Sequence, residues 1–476
     1  MGDLPPASLS KTQVLGVIYA PSLGESYRRH MALIHRDHQL SNLGTLLGFL
    51  TLNGISTGHL TIKDGEDVHE FGPDEEPRVL LCVRSGEFWT RVALFTDLGL
   101  AESFMSSIVD CNDVSTLVKL LILNRDHLSQ SLKSFASSLL ARGRLLTSYN
   151  FVGNLSNSKA NISAHYDIEN ELFSAFLGPD MTYSSAIFSK IDADLTGVPE
   201  DTLADGQMQK MKMILKKADI RPGDRVLEIG TGWGSLAILA AETIPGCKID
   251  TITSASTQAA FARKRIKEAG LSDFITVHEM DYRECFIKPE WAGAFDRFIS
   301  VEMIEHVGRD FLTEYWKVVD WAVKRDTGLG VVQVITFPEA RIESYHSEGV
   351  DFMQKWFFPG GYLPTPCILM EAMKAGSSGR LTVDSIVNIG PHYARTLREW
   401  KRNFVDAWEG TISPALVRKY NLTPDEQEVF RRKWIYFVLA SGYSEAGFST
   451  RTLGDHIVTF TRDGNTSLRC EVSNCS

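Results

Sequence analysis

The chain has 476 residues, of which 43% are hydrophobic and 23% are charged. This composition is typical of folded globular proteins and excludes a mainly disordered chain. The length exceeds what one ordinary core supports, so we expect two domains. Lys and Arg total 49 against 59 Asp and Glu, a formal net charge of −10. Nucleic acid is therefore not expected as a partner, because phosphate contacts need clustered cations.

The seven cysteines are scattered, with no C-x-x-C pair, and the histidines show no zinc spacing. No metal site is predicted from this pattern. Residues 1–39 lack the basic start and apolar centre of a secretory signal, which predicts a cytoplasmic protein. The apolar run 43–55 is interrupted by Gly and Asn and is shorter than the ~20 residues that a membrane helix needs.

The N-terminal part of the chain contains short β-prone pieces before helical stretches that begin near residue 100. These pieces are 59–62, 79–83 and 88–94. They predict an accessory α+β domain over residues 40–150, after an N-terminal extension over 1–39. The stretch 126–161 is predicted to be a helix that leads into a polar linker.

A larger α/β domain is predicted over residues 151–476, because apolar runs alternate with helical patterns after Asp205. Five parallel strands are predicted at 225–229, 248–253, 274–278, 295–301 and 330–336. Two later β-prone runs, 381–389 and 456–461, would complete a Rossmann-like sheet of seven strands. The aromatic-rich stretch at about 337–450 is predicted to be an insertion over the substrate.

The first strand of this sheet leads into a glycine-rich turn and a helix, with the sequence RVLEIGTGWG at 225–234. The dinucleotide fingerprint is G-x-G-x-x-G. The spacing here is G-x-G-x-G, with Glu228 two residues before the first glycine, and it is typical of S-adenosylmethionine enzymes. The glycines permit close approach of a ligand to the backbone, and the helix N-terminus favours a carboxylate. The alternative interpretation is an ordinary tight turn between a strand and a helix.

The second predicted strand lacks the terminal acid that usually binds ribose hydroxyls. The segment Thr251 to Gln258 supplies hydroxyl groups and an amide at that place. These side chains are therefore candidates for the contact that the acid makes elsewhere.

Four further segments occur in a characteristic order and spacing. They are HYDIENELF (165–173) with MTYSSAIF (181–188), SVEMIEHVG (300–308), FFPGGYLP (357–364) and HYARTLREW (392–400). Together with the glycine turn, they resemble the cyclopropane-fatty-acyl-phospholipid synthase and mycolic acid cyclopropane synthase family. The resemblance covers about residues 40–465 and implies a class I methyltransferase sheet, with a smaller N-terminal α+β domain like the accessory domain of the longer members.

The resemblance also implies the site residues. S-adenosyl-L-methionine is expected to contact Tyr183, Ser184, Gly230, Gly232, Trp233, Gly234, Thr253, Gln258, Asp281, Tyr282 and Val301. In the family a bicarbonate-like anion serves as general base, and Glu305, Tyr393 and the Ile335 backbone match its holders. Ser185 and Gln333 occupy holder positions that are often Cys and His in the family. Both can still donate a hydrogen bond to an anion.

The implied reaction is transfer of the methyl(ene) group to a C=C bond of an unsaturated acyl chain, which forms a cyclopropane through a carbocation. Such a cation must be shielded from water, and aromatic rings can stabilise it. The candidate rings are Tyr166, Phe173, Trp356, Phe357, Phe358 and Tyr362, although such rings are also common in plain cores. His165 and His306 are expected to lie behind the reacting groups.

Two alternatives stay open at this point. The first is a methyltransferase of the same family that acts on an amine, a sphingolipid or a specialised metabolite, by C- or N-methylation without ring closure. The second is a lipid-binding protein without activity, which the glycines and Glu305 argue against. The expected partner is a lipid or another small hydrophobic molecule. Peripheral contact with a membrane surface and homodimer formation also stay open.

Overall fold

The computed structural model describes residues 52–128, 170–347, 352–440 and 445–467. The predicted linker, His165 and Tyr166 lie outside these ranges. The described residues form two compact units. The first unit comprises 52–128, 352–357, 400–440 and 445–450, and the second comprises 170–347, 358–399 and 451–467. The aromatic-rich stretch, which was predicted to be one insertion, is divided between the two units. The predicted domain boundaries stay predictions.

The first unit contains a four-stranded sheet in the order β2-β1-β3-β4. Its strands are β1 (His59–Asp64), β2 (Asp67–Phe71), β3 (Arg78–Val83) and β4 (Val109–Cys111). Its helices are α1 (Glu87–Met105), α2 (Val114–Leu123), α10 (Phe352–Trp356), α13 (Ser413–Tyr420), α14 (Pro424–Ala440) and α15 (Glu445–Ser449). The α+β character predicted for the N-terminal part is confirmed.

The prediction of a strand at 88–94 is wrong, because these residues belong to helix α1. Phe88 and Trp89 have high strand propensity, but both rings are buried in the unit. The Trp89 indole N–H donates a hydrogen bond to Asp64 on β1 at 2.8 Å. Packing of these rings therefore outweighs the intrinsic preference of aromatic residues for strands.

The second unit contains the predicted seven-stranded sheet, in the order β10-β11-β9-β8-β5-β6-β7. Its strands are β5 (Arg225–Ile229), β6 (Lys248–Thr253), β7 (Ile275–Glu279), β8 (Arg297–Val301), β9 (Leu329–Thr336), β10 (Leu381–Asn388) and β11 (Gly454–Arg462). Strands β5 to β9 pair in parallel, whereas β11 pairs antiparallel with β9 and β10. The class I methyltransferase fold is confirmed.

Helices flank the sheet of the second unit. They are α3 (Asn170–Leu177), α4 (Ala193–Thr196), α5 (Leu203–Lys217), α6 (Ser235–Thr243), α7 (Ser256–Glu268), α8 (Leu312–Ala322), α9 (Ile342–Ser347), α11 (Pro366–Ser377) and α12 (Gly390–Ala407), which begins in this unit. Successive strand residues enter different cores: Phe298 and Val332 belong to one cluster, Ile299 and Val331 to another. Both faces of the sheet are therefore covered, as parallel sheets require. Among the helices of the described ranges, none is long and apolar enough to cross a membrane.

Arg395 on helix α12 is a fully buried cation that fixes the segment before α5. Its guanidinium donates to the Asp201 carboxylate at 2.8 Å and to the Asp201 and Lys190 carbonyl oxygens at 2.6 and 2.7 Å. The same group lies 3.9 Å from the centroid of the Phe188 ring. One residue of the HYARTLREW motif therefore has a structural role.

We expect Arg395→Met to lower the free energy of unfolding by about 3–5 kcal/mol, because it removes the cation that is paired with the buried Asp201 carboxylate. Urea denaturation measures this loss. Lys264→Met is the control, since it breaks an exposed pair with Glu268 at 3.9 Å and should cost less than about 1 kcal/mol. Equal effects of the two substitutions would contradict the structural role of Arg395.

Candidate active site

The turn at residues 230–234 joins the carboxyl end of β5 to the start of α6. Gly230, Gly232 and Gly234 have φ angles of +107°, +52° and +88°, which glycine adopts without steric cost. A Cβ atom added at Gly232 would meet no other atom within 4 Å. A ligand can therefore approach the backbone of the turn closely at Gly232.

A cavity lies beside this turn. Ten of the predicted cofactor residues line it: Tyr183, Ser184, Gly230, Gly232, Trp233, Thr253, Gln258, Asp281, Tyr282 and Val301. Gly234 does not line the cavity and instead precedes the first residue of α6. The structure thus brings together residues that the sequence places more than a hundred positions apart.

Several polar groups of the cavity are held by one another. The Thr253 hydroxyl donates to the Gln258 side-chain oxygen at 2.9 Å. Asp281 accepts hydrogen bonds from the backbone and side chain of Arg283, both at 2.9 Å. This pair fixes the short helical turn that carries Tyr282, whose ring is buried. The cavity wall is therefore held in place before any ligand binds.

Two ionisable groups at the glycine turn have strongly shifted pKa values. Burial raises the pKa of Glu228 to about 7, and the Thr251 hydroxyl donates to its carboxylate. Burial lowers the pKa of Lys210 to about 8, against the opposing charges of Glu302 and Asp180. Lys210 lies on helix α5, donates to the Ser184 hydroxyl and lines the cavity.

Glu305 and Ile335 are in contact, as two of the predicted anion holders. Glu305 lies in the helical turn Ile304–His306 and accepts a hydrogen bond from the Ile335 N–H at 2.6 Å. Its second carboxyl oxygen is buried and accepts no hydrogen bond from the residues that the structure describes. Glu305 does not line the cavity.

The other three predicted holders converge on a different acid, Glu302. One Glu302 oxygen accepts hydrogen bonds from the Ser185 backbone N–H and the Gln333 amide, both at 2.8 Å. The other oxygen accepts from the Tyr393 hydroxyl at 2.7 Å. Glu302 lines the cavity. The grouping of Ser185, Gln333 and Tyr393 was predicted, but not the carboxylate that they bind.

The Ser185 hydroxyl does not take part in this cluster, since it donates to the Ala186 carbonyl oxygen at 3.1 Å. The Gln333 amide makes a second contact, to the carboxylate of Asp455 on β11 at 2.9 Å. Asp455 is fully buried. Gln333 therefore bridges two acids, and the three carboxyl groups of Glu302, Glu305 and Asp455 form what we call the carboxyl cluster.

Sequence reasoning missed Lys210, Glu302 and Asp455. For Glu302 a signal was present, because this acid directly follows a predicted parallel strand, and ligands bind at the carboxyl ends of such strands. The pair Glu302 and Glu305 in SVEMIEHVG gave no indication of which acid faces the cavity. Lys210 and Asp455 carried no local signal, because only the fold brings them to this place.

The predicted aromatic lining is divided. Phe173 is buried and its ring centroid lies 5.0 Å from that of Trp233. Phe357 stacks on Phe437 at 4.0 Å within the first unit. His306 lines the cavity, its ring lies 5.5 Å from that of Phe358, and burial lowers its pKa to about 4. His306 is therefore neutral at physiological pH. The role of the rings in shielding a cation stays a prediction.

Comparison with known proteins identifies the family. A family model described as mycolic acid cyclopropane synthetase matches residues 154–437. The tuberculostearic acid methyltransferase of Mycobacterium tuberculosis is 34% identical over 308 residues, which are 64% of this chain and 66% of that relative. The match thus spans slightly less than two thirds of that protein.

A longer match links the chain to the cyclopropane-fatty-acyl-phospholipid synthase of Escherichia coli K12. The two are 30% identical over 390 residues, which are 81% of this chain and 89% of the relative. The fold is similar to that of a cyclopropane synthase from Mycobacterium tuberculosis, with a TM-score of 0.52 and 22% identity over 64% of this chain and 98% of the other. Because the family model matches more than half of its residues, the chain belongs to the mycolic acid cyclopropane synthetase family of S-adenosylmethionine-dependent methyltransferases.

Proposed function

We propose that the chain transfers a methyl group from S-adenosylmethionine to a C=C bond in an unsaturated acyl chain of a lipid and closes a cyclopropane ring. The observation that carries this proposal is the carboxyl cluster, one member of which, Glu302, lines the same cavity as the glycine turn. The name of the Escherichia coli relative supports this choice of substrate and product. Acyl chains of phospholipids lie in bilayers, so the proposal includes peripheral contact with a membrane surface.

The cavity fits the cofactor. Gly232 leaves the backbone open to close approach where the amino-acid part of the cofactor would lie. Thr253 and Gln258 offer polar groups at the end of β6, and Tyr282 offers a ring face for the adenine. Bound there, S-adenosylmethionine supplies a methyl group on a cationic sulfur, which is electrophilic enough to react with an alkene.

The carboxyl cluster suits the second half of the reaction. An alkene that has gained a methyl group becomes a carbocation, and ring closure requires removal of a proton by a base within reach. A carboxylate held in a water-poor site also stabilises the cation electrostatically. Glu302 meets both needs, because it is hydrogen-bonded in place and faces the cavity.

The three acids of the cluster do not share one protonation state. Burial, followed by the charges of Glu302 and Glu305, raises the pKa of Asp455 well above its usual value. Burial and the charge of Glu302 raise the pKa of Glu305 to about 8. Burial also raises the pKa of Glu302, but donors from Ser185 and Tyr393 and the charge of Lys210 oppose this shift. Glu302 is therefore the member whose rise in pKa is opposed by the most hydrogen-bond donors and by a nearby cation.

The bicarbonate that the family resemblance implies is not part of this proposal. Three of its predicted holders, Ser185, Gln333 and Tyr393, use their donors on the Glu302 carboxylate. The Ile335 N–H is likewise bound to Glu305. In the described part of the chain, these four donors are therefore already bound to carboxyl groups of the protein.

A second candidate function is methylation of the same double bond without ring closure. The relative from Mycobacterium tuberculosis is named a tuberculostearic acid methyltransferase, which favours a fatty acyl acceptor with a different product. Loss of a proton from a neighbouring chain carbon would leave a methyl-branched alkene instead of a ring. A hydride shift that moves the cation to the methylated carbon, followed by loss of a proton from the methyl group, would leave a methylene group. The position of the base relative to the cation decides between the products.

Purified protein incubated with S-adenosylmethionine and dioleoylphosphatidylglycerol vesicles should add one CH₂ to each modified acyl chain. Mass spectrometry measures this gain, and ozonolysis identifies the product, because a cyclopropane resists ozone while a methylene group is cleaved. A product that ozone cleaves would favour the second candidate. The absence of any lipid carrying a methyl-derived carbon, with this and other unsaturated vesicles, would contradict the proposed function.

Gly232→Val should weaken S-adenosylmethionine binding by more than roughly 10-fold, since a branched side chain at this positive φ would project into the cavity. Isothermal calorimetry measures the affinity. Gly270→Val is the matched control, because Gly270 also has a positive φ, +72°, with nothing within 4 Å of an added Cβ, and lies outside the cavity. Equal affinities of the two variants would refute the assignment of this turn.

Glu305→Gln should flatten the dependence of stability on pH. A Glu in the unfolded chain loses its proton near the ordinary glutamate pKa of 4.5, whereas burial raises the pKa of folded Glu305 to about 8. Between these values the folded form holds more protons, so the free energy of unfolding falls as pH rises. Glutamine does not titrate and removes this contribution.

Urea denaturation at about pH 5 and about pH 8 tests this expectation, since these values bracket most of the titration. The fall in stability should be smaller for Glu305→Gln than for the wild type. Glu290→Gln, at an exposed position, should behave like the wild type. If the free energy of unfolding falls as much in Glu305→Gln as in the wild type, this carboxyl group does not titrate as described.

A further inference from the structure

We propose that Glu302 is the general base of the reaction and takes the place of a bound bicarbonate. This inference rests on the proposed function and names the group that removes the proton. It differs from the mechanism implied by the family resemblance, in which Glu305 helps to hold a separate anion. The chain would then carry its base as a side chain and need no dissolved carbonate.

The hydrogen bonds of Glu302 support this inference first. Its two carboxyl oxygens accept three hydrogen bonds at 2.7–2.8 Å from Ser185, Gln333 and Tyr393. These are three of the positions that the resemblance assigns to anion binding. A carboxylate and a bicarbonate present the same pair of oxygens to such donors. Glu302 therefore occupies the chemical position of the expected anion.

The backbone at Glu302 supports it independently. Glu302 directly follows β8 and has a φ of +47°, in the left-handed region that favours glycine. This conformation is unfavourable for a residue with a Cβ atom, and such strain clusters at functional sites. The Glu302 N–H donates to the Gln333 carbonyl oxygen at 2.8 Å, which holds the backbone in this position. In this conformation the side chain reaches the donors of Ser185, Gln333 and Tyr393.

The charge around Glu302 disfavours a second anion. Glu302 itself places a carboxyl group where a second anion would lie, and Asp455 shares the Gln333 amide with Glu302. Lys210 is a cation that acts on Glu302, and one of its three N–H groups donates to the Ser184 hydroxyl. An added bicarbonate would find the donors from Ser185, Gln333 and Tyr393 already bound to the Glu302 carboxyl group.

The proton transfer balances without another reactant. A C–H bond of the newly added methyl group breaks, and its electron pair forms a bond to the cationic carbon, which closes the three-membered ring. The proton passes to the Glu302 carboxylate, which becomes neutral and later releases it to solvent. A carboxylate whose pKa is raised by its surroundings is a stronger base than one in water.

The test compares the wild type with Glu302→Gly and Glu302→Gln in buffer stripped of carbonate, on dioleoylphosphatidylglycerol vesicles. The wild type should keep its rate whether bicarbonate is absent or added. Both variants should lose roughly 10²-fold or more in turnover, typical of a missing general base. Added bicarbonate should restore at least part of the rate of Glu302→Gly, because glycine vacates the anion position and tolerates the positive φ. The glutamine variant should not be rescued, since its amide still fills that position.

Binding of ¹³C-labelled bicarbonate, followed by NMR line broadening, provides a readout without turnover. The signal should broaden with Glu302→Gly and stay sharp with the wild type. Matching circular dichroism spectra of the two proteins control for folding. A wild type that binds bicarbonate, or slows when carbonate is stripped, would overturn the inference, as would full activity of Glu302→Gly without bicarbonate.

Failure of the proposed function gives a different pattern. If the wild type transfers no carbon to any unsaturated lipid, the proposed function fails. The NMR spectra of ¹³C-labelled bicarbonate need no lipid, so they still test whether Glu302 occupies the position of the expected anion.

Discussion

The loops after β5 and β8 leave the sheet at the point where its strand order reverses, and the site depends on this arrangement. At such a point neighbouring loops diverge and leave a crevice at the carboxyl ends of the strands. The glycine turn follows β5, and Glu302 follows β8. A bare backbone for a cofactor and an acid for proton transfer therefore meet in one cavity, although about seventy residues separate them in sequence.

Placing three carboxyl groups together in this crevice is unfavourable, because each charge loses water and repels the others. The fold compensates for this cost most at Glu302, through three donors from three different segments of the chain. Glu305 receives one donor and Asp455 shares one. The unequal supply of donors separates the acids chemically, because burial raises the pKa of all three and the donors oppose this rise most at Glu302.

Much of the fold could be predicted from sequence, because buried parallel strands are short apolar runs between turns. The bounds predicted for β5 and β6 agree with the structure. The error at 88–94 arose where strand-prone aromatic residues fill the core from a helix. The cofactor cavity was predictable because its residues lie in local motifs. Glu302 was not, because its partners Gln333 and Tyr393 are distant in sequence, and local spacing does not show which of two acids faces a cavity.

A base that belongs to the chain differs physically from one that must bind. The backbone holds Glu302 beside the cavity, so no association step precedes proton transfer and no translational entropy is lost in capturing an anion. The fixed position also limits which protons are within reach. A bicarbonate could shift within its site, whereas three hydrogen bonds at 2.7–2.8 Å constrain the Glu302 oxygens. If the new methyl group lies closer to these oxygens than the neighbouring chain carbons do, ring closure follows. The opposite geometry leads to a methyl-branched alkene. The choice between the two products therefore rests on where the acyl chain lies relative to a base that cannot move.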